Sequence, residues 1–297
     1  MLILPLQTMK AGFVNIFGKP NAGKSTLLNA ILGERLAIVS PKVQTTRHRI
    51  KGIVTESEYQ IIFSDTPGII SPKYKLQEKM MDAVKSALED ADVAILLVDI
   101  NDDYQAAHEL FDALKLRVPA LVLLNKIDKA KKSKIDTVQQ FFSEKGYCKK
   151  VISISALQNI GVEQVIPEVL NYLPESEPFF GEDELTDLPT RFFVAEMVRE
   201  KIFELYQEEI PYHTTVQIRE FKEKSTLTKI SADIIVQRET QKMILLGEKG
   251  SMIKKLGTES RISIEQFLDR KVFLELFVKV RPKWRDNDLF LKEYGYH

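Results

Sequence analysis

Residues 12–25 read Gly-Phe-Val-Asn-Ile-Phe-Gly-Lys-Pro-Asn-Ala-Gly-Lys-Ser. The first six, Gly12 to Phe17, are apolar and β-prone and predict a short strand. The next eight, Gly18, Lys19, Pro20, Asn21, Ala22, Gly23, Lys24 and Ser25, have the form G-x-x-x-x-G-K-S. A helix-like run from Thr26 to Leu32 follows and stops at Gly33. Strand, glycine loop and helix are the context that a phosphate-binding loop requires. Its glycines let successive N–H groups converge on one oxygen cluster, beside a helix N-terminus already favourable to anions. Lys24 then reaches the β- and γ-phosphates, and the Ser25 hydroxyl ligates Mg²⁺. The nucleotide-binding set predicted here runs from Gly18 through Thr26.

Three further segments say which nucleotide. Residues 60–64, Gln-Ile-Ile-Phe-Ser, predict a strand ending in Asp65-Thr66-Pro67-Gly68. A carboxylate at the C-terminal end of such a strand points into the ligand crevice. Asp65 is thus placed to hold Mg²⁺, through water, and the Gly68 N–H to bond the γ-phosphate. Alone, D-x-x-G is as readily a plain turn; its distance from the first motif gives it meaning. Residues 93–98 predict another strand, ending at Asp99, and 119–124 predict one that leads into Asn125-Lys126-Ile127-Asp128. The Asp128 carboxylate can accept from both N1–H and the 2-amino group of guanine. Adenine has no such donor pair, so this residue selects GTP over ATP. Asn125 and Lys126 brace the loop and flank the base. The competing reading makes Asp128 the cap of a helix beginning near 133. Strand 151–154 runs into Ser155-Ala156-Leu157, whose amides can reach the guanine O6. Strands alternating with helices predict a doubly wound, mainly parallel α/β sheet. Ile50 to Gln60 leaves no room for a long helix, which predicts an antiparallel hairpin at that edge.

The 297 residues suit two domains, and 44% hydrophobic with 28% charged residues excludes coiled-coil, collagenous or wholly disordered chains. A lone Cys148 excludes an internal disulfide and a multi-cysteine zinc site, and it fits a reduced, cytoplasmic setting. Apolar runs such as Val93–Val98 are too short to span a membrane, and Met1–Leu6 lacks the basic lead of a signal peptide. Net charge is zero overall but not locally. It is +3 over residues 1–173, −8 over 174–210 and +5 over 211–297. Between 174 and 189 stand six acids and no base, with two early prolines and a glycine. That is linker chemistry, although a solvated loop within one domain has the same composition.

Beyond it, 191–209 places Ala195, Val198, Ile202 and Leu205 on one helical stripe, with Glu and Lys elsewhere and Pro211 closing the run. Strands at 214–221 and 227–237, helices at 240–246 and from Ser251, and a strand at 272–280 complete the order α-β-β-α-α-β. The two helices meet at Gly247-Glu248-Lys249-Gly250, with Lys254 and Lys255 just after, and Arg281 and Lys283 follow the last strand. A G-x-x-G loop between helices in this order is the KH arrangement, which holds about four single-stranded nucleotides against a hydrophobic groove. Residues 241–285 carry a net +6. A basic helix pair serving protein contacts is the alternative, Trp284 reads as a packing residue, and Glu248 departs from the basic ideal of such loops.

Together the motifs at 18–25, Thr45-Thr46-Arg47, 65–68, 125–128 and 155–157 resemble the translation-factor-related GTPases. Val43-Gln44-Thr45-Thr46-Arg47-His48-Arg49 resembles the first switch of the Era GTPases in particular. The resemblance covers nearly the whole chain. It implies a P-loop GTPase domain over 1–175, an acidic linker over 176–189 and a type II KH RNA-binding domain over 190–297. It also implies that Thr46 or Thr45, with Thr46 favoured, closes onto Mg²⁺ and the γ-phosphate. As residues alone, these threonines read as a mobile lid or an ordinary surface loop. Ile69 stands where Ras-like proteins carry a water-orienting glutamine, so hydrolysis is expected to be slow. Relatives with an asparagine at the place of Asn21 can bind K⁺ beside the phosphates; otherwise Asn21 simply shapes the loop. Lys24, Thr46, Asp65, Gly68 and Asn21 are then the catalytic set. The implied ligands are GTP or GDP, Mg²⁺ and K⁺. The implied partners are the 3′ end of 16S rRNA and the small ribosomal subunit, with peripheral association at the inner membrane face; a monomer is expected. Two rivals remain: a tRNA-modifying GTPase, which would need a C-terminal cysteine, and a non-enzymatic RNA scaffold with a structural nucleotide site.

Overall fold

The computed structural model describes residues 9–296. The stretch Met1–Leu6, read above for a signal peptide, lies outside the described residues. The chain divides into two compact units. One comprises the residues through Ala37, Thr46–Ser71 and Met80–Asp187; the other comprises Ile38–Thr45, Pro72–Lys79 and the chain from Leu188 on.

The first unit opens with β1 (Met9–Phe17), which starts three residues earlier than the apolar run, and α1 (Lys24–Leu32), closed by left-handed Gly33. Then come β2 (Ile50–Glu56), β3 (Tyr59–Asp65), α2 (Lys75–Glu89) and β4 (Val93–Asp99). α3 (Tyr104–Ala113), β5 (Ala120–Asn125), α4 (Lys132–Ser143), β6 (Cys148–Ser153), α5 (Val165–Leu170) and the short β7 (Glu175–Ser176) complete it. The sheet order is β2-β3-β1-β4-β5-β6, with β7 antiparallel beside the start of β1. β2 and β3 form the antiparallel hairpin predicted at the edge, with Ile50 opposite Asp65 and Glu56 opposite Tyr59. The other strand pairs are parallel. Central strands covered on both faces must be apolar throughout, and all six residues of β5 are buried. Phe17, Leu96, Val122, Phe111, Val138 and Phe142 share one core.

The acidic stretch does not float. Lys10 Nζ donates to the Leu173 carbonyl and Gln60 Oε1 accepts from the amides of Phe179 and Phe180. The Ile53 amide donates to Leu185 O, and Lys51 pairs with Asp187 at 2.8 Å. Residues 174–187 therefore belong to the first unit; the charge pattern marked low hydrophobicity but could not show which backbone groups would capture the segment.

The second unit contains α6 (Thr190–Leu205), β8 (Thr215–Glu223), β9 (Thr228–Val236), α7 (Glu239–Leu246), α8 (Ser251–Leu268), β10 (Val272–Val280) and α9 (Asp288–Glu293). β9 pairs antiparallel with β8 and parallel with β10, so the order α-β-β-α-α-β is as read. Val198, Ile202, Ile230, Ile234, Leu256 and Ile264 form its core. α6 departs from expectation twice. It ends at Leu205, with Tyr206 already extended, well before Pro211. Its charged side is buried too: Glu196, Arg199 and Glu200 are 6%, 1% and 2% exposed. A stripe analysis assigns charges to solvent and cannot see a second partner on the opposite face.

Ile234 is fully buried in this core. Ile234→Ala is expected to cost about 2–5 kcal/mol, read from the urea midpoint of the unfolding transition that carries the second unit; a cost under about 0.5 kcal/mol would contradict this packing.

Candidate functional site

The loop after β1 turns on special backbone. Asn21 and Gly23 both have positive φ, 63° and 101°. A Cβ at Gly23 would lie 2.3 Å from Asn125 Nδ2, and one at Gly18 would lie 2.5 Å from the Leu97 carbonyl. Steric exclusion thus requires both glycines, independently of any ligand. Lys24 is buried, and its ammonium donates to the carbonyls of Gly18 (3.1 Å) and Lys19 (3.0 Å). Burial pulls its pKa down to about 8, against the opposing pull of the Asp65 carboxylate.

Asp65 ends β3 at 0% exposure. Its Oδ2 accepts from Ser25 Oγ at 2.6 Å and Thr46 Oγ1 at 3.2 Å, and those two hydroxyls lie 2.9 Å apart. Its Oδ1 is buried and has no hydrogen-bond partner. Burial pushes the Asp65 carboxyl up, opposed by Lys24, Ser25 and Thr46. Three hard oxygen donors converging beside an unsatisfied carboxylate oxygen suit Mg²⁺. Of the two candidate threonines, Thr46 stands at this cluster; Thr45 Oγ1 instead donates to the Lys42 carbonyl at 2.7 Å. Among the described residues no group of three or more His, Cys, Asp and Glu is placed to hold a metal, so a search by those residue types would overlook this cluster.

Thr66 anchors the next turn by donating to Ile16 O at 2.6 Å. A Cβ at Gly68 would come within 2.8 Å of the Pro20 backbone, so the 65–68 turn presses against the 18–25 loop. The two predicted phosphate-contacting segments are adjacent for a steric reason.

The residues expected to read the base also converge. Asn125 is the brace: Nδ2 donates to Ala22 O at 2.8 Å, while Oδ1 accepts from the amides of Lys126 and Ala156 at 2.8 and 3.0 Å. One side chain ties the 18–25, 125–128 and 155–157 loops together. Lys126, left-handed with φ 64°, donates to Asn21 O at 2.8 Å and pairs with Asp99 at 2.6 Å. The sequence marks Asp99 only as a strand end; in the structure it stands level with Asn125 in the β4–β5 register. Asp128 is exposed within a single 3-10 turn and accepts from the buried Ser155 hydroxyl at 2.6 Å. It does not cap α4, whose N-cap is Lys131. Leu157 is 71% exposed, leaving Ser155 and Ala156 as the buried members of that motif.

In the second unit, α7 and α8 meet at a turn where Gly247, Lys249 and Gly250 all have positive φ, 71°, 50° and 79°. A Cβ at Gly247 would lie 2.6 Å from Met252 Cγ, whereas one at Gly250 would make only an ordinary contact with Ile253 Cγ2 at 3.9 Å. Glu248, Lys249, Lys254, Lys255, Arg281 and Lys283 are exposed, as are Met243 and Ile244 on α7. Trp284 is fully buried and donates to His213 O at 3.0 Å, so it packs rather than offering a stacking face.

A family model described as "50S ribosome-binding GTPase" matches residues 13–126, and one described as "KH domain" matches 209–285. GTPase Era of Geobacter sp. is 46% identical over 97% of this chain and 98% of its own length. GTPase Era of Ruminiclostridium cellulolyticum is 42% identical over 97% of each. The chain belongs to the Era family of GTPases. Two solved structures of Era agree. One, a complex with MgGDPNP and nucleotides 1506–1542 of 16S ribosomal RNA, matches with TM-score 0.92 and 40% identity over 97% of this chain and 99% of that one. The other, an Aquifex aeolicus Era variant bound to GDP.AlF4⁻, matches with TM-score 0.93 at the same identity and coverage. An Era GTPase hydrolyses GTP to GDP and phosphate, and the readings as a non-enzymatic scaffold or a tRNA-modifying GTPase fall away.

Lys24 supplies a pH test. Away from phosphate it loses its proton as pH rises through about 8. Phosphate oxygens favour the ammonium and raise that value, so binding above it takes up a proton and weakens with rising pH. Calorimetry of GDP binding in buffers of different ionisation enthalpy should show this uptake in the wild type and none in Lys24→Met. A pH-independent affinity between about pH 7 and 10 would contradict it.

Proposed function

We propose that this chain is a slow, GTP-gated RNA-binding protein of small-subunit maturation. In this reading the first unit, with the acidic stretch through Asp187 fastened to it, serves as the GTPase domain, and 190–297 as the KH domain, which holds the single-stranded 3′ end of 16S rRNA. The observation that carries the RNA half is the Gly247–Gly250 turn. Three consecutive-region positive φ values expose backbone and Lys249 at a helix–helix junction, beside the exposed apolar side chains of α7. The Era structure bound to nucleotides 1506–1542 of 16S ribosomal RNA supports the same target.

In the GTPase half, Gly18 to Thr26 cradle the phosphates, and Lys24 neutralises the β- and γ-phosphates. Ser25, Thr46 and Asp65 would hold Mg²⁺, which when bound neutralises charge between those phosphates. The Gly68 amide orients the γ-phosphate, Thr66 and Pro67 shape that turn, and Asn125, Lys126, Asp128, Ser155, Ala156 and Leu157 read guanine. Ile69 is half-buried and has no group to orient water, which is the reason turnover is slow. Asn21 would hold K⁺ beside the phosphates and is tested by turnover in K⁺ against Na⁺; equal rates would remove it. A cytoplasmic monomer with peripheral membrane attachment belongs to the same reading. No helix among the described residues is long and apolar enough to cross a membrane.

Replacing Gly247 would disturb the turn itself, because of Met252. Lys249→Glu with Lys254→Glu removes phosphate-facing charge instead. That pair is expected to weaken binding of a short single strand from the 16S 3′ end by about tenfold or more and to flatten its salt dependence by roughly one unit of slope. GTP affinity measured with and without that RNA then tests the gate: linkage demands equal coupling in both directions, and uncoupled affinities would leave two independent modules.

A further inference from the structure

Residues 38–45 and 72–79 border the loops that carry Thr46 and Gly68, yet both fold within the second unit. The first is held along α6 by three polar anchors. The Val39 amide donates to Glu200 Oε1 at 3.1 Å. Lys42 Nζ donates to the carbonyls of Phe203 and Tyr206, where the helix ends and its carbonyls lack helical partners. Arg199 Nη2 donates to the Thr45 carbonyl. Within 72–79, Tyr74 donates to Gln44 Oε1 at 2.9 Å, and the Arg285 guanidinium lies 4.2 Å from the Tyr74 ring centre.

Arg199 is the anchor that stability does not explain. It is 1% exposed and clamped by Glu196 through Nε at 2.7 Å and through Nη2, while its Nη1 is buried without a hydrogen bond. A buried ion pair is commonly no better than an apolar pair of the same volume, and an unsatisfied donor makes it worse. What the pair provides, and an apolar pair cannot, is a fixed donor aimed at one main-chain carbonyl. That carbonyl belongs to Thr45, and the next residue in the chain is Thr46, whose hydroxyl stands at Ser25 and Asp65.

We propose that Arg199, oriented by Glu196, is a positioning residue for Thr46: by holding the Thr45 carbonyl it sets where the Thr46 hydroxyl stands, and so ties nucleotide state to the RNA-binding unit. This rests on the GTP-gated reading above. The Thr45–Thr46 peptide cannot reorient freely while its oxygen is held, so a change at the Thr46 hydroxyl pulls on α6, and a shift of α6 moves the hydroxyl. Lys42 and Glu200 guide the same segment without touching that peptide.

The test uses the full chain and three variants: Arg199→Met, the double variant Glu196→Met with Arg199→Met, and Lys42→Met. For each, kcat and KM for GTP, the ratio of GTP to GDP affinity in Mg²⁺, and the thermal midpoint are measured. Arg199→Met is expected to lower kcat by about tenfold and to cut the GTP/GDP affinity ratio, with KM moved by less than about threefold. The apolar double variant should regain the thermal midpoint without regaining kcat or the ratio, which a packing role would restore together. Lys42→Met should shift kcat and the ratio in the same direction by less. A double variant with wild-type kcat and ratio overturns the proposal. Should the α6 variants not fold, Lys42→Met decides, and an unchanged kcat and ratio overturns it. If 16S 3′-end RNA leaves wild-type GTP affinity unaltered while these variants still lose kcat and ratio, the positioning role stands and the GTP-gated reading falls.

Discussion

Lys24, at the start of α1, and Asp65, at the end of β3, are buried charges of opposite sign, and neither is satisfied by the other. The ammonium rests on loop carbonyls, the carboxylate on two hydroxyls, and one carboxylate oxygen has no partner at all. Burial works against the charge on both, pulling the lysine down and the acid up. Such groups persist only where surrounding structure holds them and where a ligand supplies what is missing. The β1–β3 register, which puts Ile16 beside Asp65, sets this meeting in place.

The loops around that centre are fastened by few side chains. Asn125 reaches three of them, and Gly23 must lack a side chain because Asn125 occupies its space. Gly68 must lack one because Pro20 does. The glycines that a phosphate-binding motif requires for its ligand are thus also required by loop-on-loop packing. Gly247 in the second unit follows the same rule, being excluded from bearing a Cβ by Met252.

Local order was readable wherever period, motif and turn chemistry agreed. The central strands read as unbroken apolar runs because both faces are covered, and the edge hairpin followed from the lack of room for a helix between Ile50 and Gln60. The ladder α-β-β-α-α-β was legible from alternation at Ile230, Ala232, Ile234 and Val236 and from the glycines between α7 and α8. Less legible was anything that depends on a second partner. The acidic stretch has the composition of a linker, yet Gln60 and Lys51 secure it. Asp99 acquired its meaning from Lys126.

By itself the sequence determined the class of the fold, the nucleotide chemistry and the base to be read. Those rest on residue types at fixed short spacings, and short spacings translate directly into backbone geometry. Tertiary structure alone decided that Thr46 rather than Thr45 stands with Ser25 and Asp65, that Asn125 is the common brace, and that Glu196, Arg199 and Glu200 lie buried on the side of α6 that sequence periodicity assigns to water. Each of these is a contact between residues far apart in the chain. A one-dimensional pattern records which side chains share a face, but burial of a charge depends on what arrives to cover that face.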